Sequence, residues 1–252
     1  MPDAAAKPAL HKPALQVAEA SKRFGGLVAV DRVSFALAEN EVLGLIGPNG
    51  SGKTTMLNLI TGALRLSGGE IRLYDDAISA LPANAIAIKG IARTFQIVRM
   101  LPAMTVIENV AAGGVFGHAR RWGGELNDYA IGLLRRVGLD TRPDTPVAAL
   151  TYIDQKRVEL ARALASDPKV LLLDEWLAGL NPTELRTGIK LVESVRNEGR
   201  TIIIVEHVMD AIRSLCDRCV VMNSGAKIAE GTPREVLADA EVIRAYLGDA
   251  DA

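Results

Sequence analysis

Two kinds of apolar pattern divide the chain. Residues 15 to 37 alternate, with Leu15 and Val17, then Val33, Phe35 and Leu37, on one side and Gly25-Gly26 breaking the run; GEIRLY (69–74) adds another such segment. Alternation marks strands with one buried face, and it predicts antiparallel strands covering a sheet edge. EVLGLI (41–46), VLLL (170–173) and TIIIV (201–205) are instead apolar nearly throughout. Runs this short predict strands buried on both faces. KTTMLNLITGAL follows the first run as a helical segment, a second helix is predicted over about 154–166, and Leu185, Ile189, Val192 and Val195 form the stripe of a third. Helices alternating with fully apolar strands predict an α/β fold with a parallel sheet covered on both faces. From Thr105 to about Leu150 the pattern turns mainly helical, TVIENV and then NDYAIGLLRRVGL with Ile131, Leu134 and Val137 on one face, which predicts an inserted helical subdomain. Near the end, Thr232-Pro233-Arg234-Glu235 has the spacing of a capping box and opens the last helices.

Length and composition narrow the class. The 252 residues suit one large domain or a core with a smaller insertion. Although 49% of them are apolar, the longest apolar runs fall well short of the roughly 18 residues a spanning helix needs. The opening MPDAAAKPALHKPAL lacks the apolar block of a signal peptide and reads as a short tail, residues 1–13, on a cytoplasmic protein. With 29 basic and 30 acidic residues and no long basic run, no nucleic-acid partner is expected. Cys216 and Cys219 form a CxxC, but zinc would need two further ligands, and the three His residues (11, 118, 207) are scattered. The pair reads as two half-buried thiols at a helix-to-strand junction.

Chemistry enters at GPNGSGKT (47–54), which fits the GxxxxGK(S/T) phosphate loop and lies where that loop must, between a buried strand and a helix. Its glycines let backbone amides curl around phosphate oxygens, the helix start adds favourable partial charge, Lys53 reaches the terminal phosphates and the Thr54 hydroxyl can ligate Mg²⁺. VLLLDE (170–175) places two acids at the carboxyl edge of the sheet, where ligands of open α/β sheets bind. Asp174 is the candidate Mg²⁺ partner, and Glu175 the candidate for orienting or deprotonating a water.

The ordered set GPNGSGKTT, TFQ (94–96), LTYIDQKRVELARAL, VLLLDE and VEH (205–207) resembles the nucleotide-binding subunit of ATP-binding cassette transporters, over residues 15 to 248. The phrases KRFGGLVAVDRVSF, MTVIENV, AGLNP and GTPREVLADAEVIRAYLG resemble the ATPase subunits of branched-chain amino acid importers and their amide or urea relatives. The resemblance implies a phosphate-loop ATPase fold over residues 14–248: a core with its antiparallel β subdomain (14–96 and 155–230), a helical subdomain (97–154) and a C-terminal helical extension (231–248).

It also implies roles. ATP would lie on Gly47, Pro48, Asn49, Gly50, Ser51, Gly52, Lys53, Thr54 and Thr55, with Phe24 stacked on adenine. Mg²⁺ would be held by Thr54, Gln96 and Asp174. Glu175, Gln96, His207 and Lys53 would form the catalytic set, His207 touching the γ-phosphate. Phe24 as strand packing, Gln96 as a solvated loop residue and His207 as a helix cap are the plainer alternatives. The family's LSGGQ motif is presented to the nucleotide of a second subunit; here the matching residues are Leu150, Thr151, Tyr152, Ile153 and Asp154. Thr151 and Asp154 keep a capping-box spacing, while Ile153 replaces a glycine where phosphate would approach. Trp176 and Asn181 are further departures, where the family has Pro and many members have Asp. These departures suggest a pair of nonidentical ATPases, a homodimer being the alternative.

The expected assembly adds two membrane-spanning permease subunits and a periplasmic substrate-binding protein; the apolar Ile97, Val98, Met100, Leu101 and Met104 either pack the helical subdomain or, as the resemblance implies, form part of a groove for a short permease helix. The chain would then sit peripherally on the cytoplasmic face of a bacterial inner membrane. Rival readings are a lipid or lipopolysaccharide exporter ATPase, a soluble ATP-dependent switch and a phosphate-loop kinase.

Overall fold

The computed structural model describes residues 12–140 and 142–247. Two long strands, β1 (Leu15–Phe24) and β2 (Leu27–Leu37), lead into β3 (Val42–Ile46) and, after the phosphate loop, α1 (Lys53–Ile60). Then come β4 (Gly68–Leu73), β5 (Asp76–Ala77), α2 (Ala83–Lys89) and β6 (Ile91–Arg93). The middle of the chain holds α3 (Val106–Phe116), α4 (Gly123–Arg136) and α5 (Tyr152–Ala165). It continues through β7 (Val170–Asp174), α6 (Pro182–Asn197), β8 (Thr201–Val205), α7 (Met209–Leu215), β9 (Arg218–Asn223) and β10 (Ala226–Gly231), and closes on α8 (Pro233–Ala238) and α9 (Ala240–Leu247).

The larger sheet has the order β10-β9-β3-β8-β7-β6, parallel except for β10. Its apolar strands serve two cores at once, because successive side chains point to opposite faces. Leu171, Leu173, Ile202 and Ile204 join the helical side, with α3 to α7. Val170, Leu172, Ile203 and Val205 join α1 and the antiparallel strands. The antiparallel sheet, ordered β2-β1-β4-β5, therefore covers one face of the parallel sheet, together with α1, rather than only its edge. Val17, Val33, Phe35 and Ile71 bury their apolar side in the same cluster as the sheet residues Val170, Leu172, Ile203 and Val205.

Local rules explain the helix ends. Thr105, Asn181 and Thr232 each accept an amide at the third helical position, and Glu108, Glu184 and Glu235 reach back to complete capping boxes. In α4 the buried face is Leu126, Ala130, Leu133 and Leu134, continued by Val137; Ile131, expected on that face, sits at its half-buried margin because neighbours four residues apart align instead along Leu126 and Ala130. Cys216 and Cys219 are free and buried, not half-buried, with Gly44 of β3 making room for both sulfurs: a Cβ there would lie 3.1 Å from that of Cys216 and 2.9 Å from that of Cys219. α5 runs unbroken through residue 154, where the helical subdomain was expected to end. The expected N-terminal tail lies outside the described residues apart from Lys12 and Pro13, as does residue 248 of the C-terminal extension. Among the described residues no helix is long and apolar enough to cross a membrane.

Candidate active site

The chain leaves β3 at Ile46 and must turn sharply before α1. Gly47 has φ 147° and Gly52 φ 103°, conformations that side chains rarely adopt. A Cβ at Gly47 would stand 2.0 Å from the Met222 carbonyl oxygen, and one at Gly52 would stand 2.5 Å from that of Ala29. Both positions are therefore closed to other residues. Gly52 caps α1 without a side-chain acceptor, and its first turn carries no acid. The amides at the helix start are thus left for an anion. Lys53 Nζ donates to the carbonyls of Gly47 and Pro48 at 2.8 and 2.9 Å, arching over the loop. Burial lowers the Lys53 pKa, while Glu175 and Asp174 pull it back up. Pro48, Asn49, Gly50, Ser51, Thr54 and Thr55 complete the loop and the helix start.

This loop floors a cavity of about 730 Å³ whose walls include Phe24, Leu27, Thr54, Gln96 and Glu175. Phe24, at the end of β1, is 45% exposed, with Lys22 Nζ 5.1 Å from its ring centre. An exposed ring at the mouth of a polar cavity is poor strand packing and a good platform for a flat heterocycle.

The acids arrive by the geometry of the sheet. β7 ends at Asp174, and the next residue, Glu175, bends away with φ 49° while its N–H donates to Val205 of β8 at 2.8 Å. β8 stops there, so His207 emerges beside it. Glu175 Oε1 lies 2.9 Å from His207 Nε2, and Oε2 accepts from Gln96 Nε2 at 2.7 Å. Gln96 and His207, far apart in the sequence, thus meet on the Glu175 carboxylate beside the Lys53 loop. Thr54, Gln96 and Asp174 also line a second hollow of about 320 Å³ beside the first.

Arg93 was not singled out from the sequence. Its guanidinium donates to Asp174 Oδ2 at 2.6 Å and to Asn58 Oδ1 of α1 at 2.7 Å, and both charged partners are nearly sealed from solvent. Nothing in the spacing around TFQ marks Arg93 for this role, because its partners lie at positions 58 and 174. Glu206, next to His207, was also missed: it is 1% exposed, and burial pushes its pKa up to about 7 against the donation from Leu177 N–H and the nearby Lys156 ammonium.

Within one chain the remaining stretch does not join this cavity. Thr151 caps α5 by accepting from Asp154 N–H, but the Asp154 carboxylate takes the Thr151 hydroxyl rather than its amide, so the capping box is half formed. Ile153 is half-buried, and Tyr152 is exposed, its hydroxyl 3.5 Å from the Gln96 carbonyl. Trp176, a departure at sequence level, is absorbed by the core at 1% exposure. Asn181 works as a helix cap through its side-chain oxygen.

A strand-loop-helix phosphate cradle beside a parallel sheet, with an acid pair on the neighbouring strand end, defines the class: a phosphate-loop ATPase. Residues 30–178 match the family model described as ABC transporter, and residues 226–252 match that of the branched-chain amino acid ATP-binding cassette transporter. The chain belongs to the ABC transporter family, as an ATP-binding cassette with ATPase activity. It is 41% identical to the high-affinity branched-chain amino acid transport ATP-binding protein LivG of Salmonella typhimurium, covering 96% of this chain and 100% of that protein. It is 39% identical to BraF, a protein of the same description from Pseudomonas aeruginosa, with the same coverage. Among solved structures, the ADP conformation of the ATP-binding cassette MJ1267 matches with a TM-score of 0.85 at 31% identity, over 94% of this chain and 99% of that one.

Proposed function

We propose that the chain is the ATP-hydrolysing subunit of an importer for branched-chain amino acids or related amides and urea, working peripherally on the cytoplasmic face of a bacterial inner membrane. The observation that carries the hydrolytic part is the Glu175 carboxylate, held by Gln96 and His207 over the Lys53 loop. The likeness to LivG and BraF over the whole chain supports the choice of substrate class.

The N–H groups of Gly47 and of Asn49 to Thr55, with the Lys53 ammonium, bind the β- and γ-phosphates, and Phe24 stacks on the base. Glu175 accepts a hydrogen bond from the attacking water and takes its proton as the oxygen bonds to γ-phosphorus and the bond to ADP breaks. Gln96 and His207 keep that carboxylate and the γ-phosphate in register. The residues fit Mg²⁺: Thr54, Gln96 and Asp174 offer oxygen donors around one hollow, and no cluster of three or more His, Cys, Asp or Glu among the described residues could cage a metal without phosphate. When bound, the ion neutralises charge on the phosphates.

A second cassette would complete the site by presenting its own helix start, while this chain offers Thr151, Tyr152, Ile153 and Asp154 to the partner's nucleotide. Ile153 and the Asp154 carboxylate make that offer weaker than a glycine would, which favours a nonidentical partner. Ile97 at 78%, Leu101 at 39% and Met104 at 41% exposure supply an apolar surface beside Gln96 for a permease helix. Two permease subunits and a periplasmic binding protein complete the importer. Labelled leucine uptake by membrane vesicles carrying the assembled importer tests the proposal. Uptake should need ATP inside and vanish with Lys53→Ala; ATP-driven extrusion of lipid without leucine uptake would overturn it.

A further inference from the structure

Helix α5 carries two opposite charges three residues apart, Lys156 and Glu159, each 1% exposed. Buried ions need partners, and theirs are unusual. Lys156 Nζ donates to the Trp176 carbonyl at 2.8 Å and lies 3.4 Å from the Glu175 carbonyl. Trp176 answers with its indole N–H, which donates to the Lys156 carbonyl at 3.1 Å. Glu159 faces the other loop: Oε1 accepts from Arg99 N–H at 2.9 Å and Oε2 from Phe95 N–H at 3.3 Å, with Arg162 as its ionic neighbour at 3.6 Å. One helix therefore grips the backbone on both sides of Gln96 and at Glu175 itself. Those are the two side chains that meet at 2.7 Å over the phosphate loop. The hold on the second segment is completed by Glu206, whose Oε1 accepts from Leu177 N–H at 2.6 Å. Glu175 needs holding, because φ 49° is costly for a residue with a Cβ and persists where the surroundings over-determine it.

We propose that Lys156 and Glu159 are positioning residues for the Gln96–Glu175 couple, and that through them α5 links its own start, offered to the partner's nucleotide, to hydrolysis in this chain's site. The inference rests on Glu175 being the hydrolytic carboxylate. A helix moves as a rigid element, so a shift felt at Thr151–Asp154 reaches Lys156 within one turn. Trp176 then has a use that a proline could not have, since its indole N–H returns a hydrogen bond to the Lys156 backbone carbonyl and ties its own loop to α5.

The test compares ATP turnover, KM and affinity for a fluorescent non-hydrolysable ATP analogue in the assembled transporter. Lys156→Met should lower kcat roughly 10-fold or more while KM and analogue affinity stay within about twofold. Lys156→Arg, which keeps the charge and donors, should restore most of kcat. Glu159→Gln should act in the same sense as Lys156→Met. Trp176→Phe removes the indole donor and keeps a ring; its kcat should fall too, and it decides the matter if Lys156→Met does not fold. The proposal is overturned if these variants keep kcat within about twofold of wild type, or lose analogue affinity in proportion, while Glu175→Gln abolishes turnover. Were Glu175→Gln itself to turn over normally, the hydrolytic role of Glu175 would fail instead.

Discussion

Lys53 holds the carbonyls of Gly47 and Pro48 and so keeps the loop curved before any phosphate arrives. Removing it should cost a charge-assisted contact to phosphate as well as this curvature. Lys53→Ala should weaken ATP binding roughly 10- to 100-fold, read by fluorescence titration; unchanged affinity would mean the ammonium does not reach the nucleotide. Glu206 supplies a pH signature. Burial pushes its carboxyl to about 7, partly offset by Leu177 N–H and Lys156, raised further by Glu175, and lowered again by His207 N–H. An unfolded glutamate titrates near about 4.3, so between these values the folded chain keeps a proton the unfolded chain has lost, and stability falls as pH rises through the window. Glu206→Gln should remove that slope. Its urea stability relative to wild type should rise between pH 5 and pH 8 by about 2 kcal/mol, and an unchanged difference would show that the carboxyl titrates alike in both states.

At the scale of elements, α3 and α5 cross with backbones almost touching. A Cβ at Gly113 would stand 2.1 Å from the Arg162 carbonyl oxygen, and one at Gly117 would stand 2.3 Å from Ser166 Cα. Gly113→Ala should force the helices apart and cost about 1–3 kcal/mol in urea unfolding. Gly132 in α4 meets nothing within 4 Å, so Gly132→Ala should stabilise by up to about 1 kcal/mol. Equal effects at the two sites would contradict the crossing. The elements themselves were legible where local physics decides them: β7 and β8 from uninterrupted apolar runs, the loop at Lys53 from its glycines, and α8 from Thr232 and Glu235. The side chains that lock the site were not. Lys156, Glu159 and Arg93 carry charges, and a charge within QKRVELARAL or before TFQ reads as solvated unless its partners are known. Those partners are carbonyls and amides of loops at 95–99 and 175–176, and a carboxylate at 174, brought close by sheet order and not by spacing. The antiparallel sheet was legible as alternation, but its place over a face rather than an edge depends on contacts with Val170, Leu172, Ile203 and Val205 that lie far off in the sequence.

For the whole molecule, Phe24 is exposed beside the phosphate cavity, and Thr151 to Asp154 at the start of α5 are not among the residues that line it. The second cassette proposed above would cover both surfaces by closing on this one. Glu175→Gln, loaded with ATP and mixed with its partner cassette, should elute from gel filtration as a pair, and with ADP as separate subunits; elution indifferent to nucleotide would contradict closure. The role proposed for Glu175 is to take a proton from water as that water cleaves bound ATP to ADP and phosphate. Single-turnover hydrolysis of γ-labelled ATP in the assembled transporter tests this most directly. Wild type should release labelled phosphate, and Glu175→Gln should bind ATP equally well yet release it roughly 100-fold more slowly or less. Equal release from the two, at equal occupancy, would contradict it.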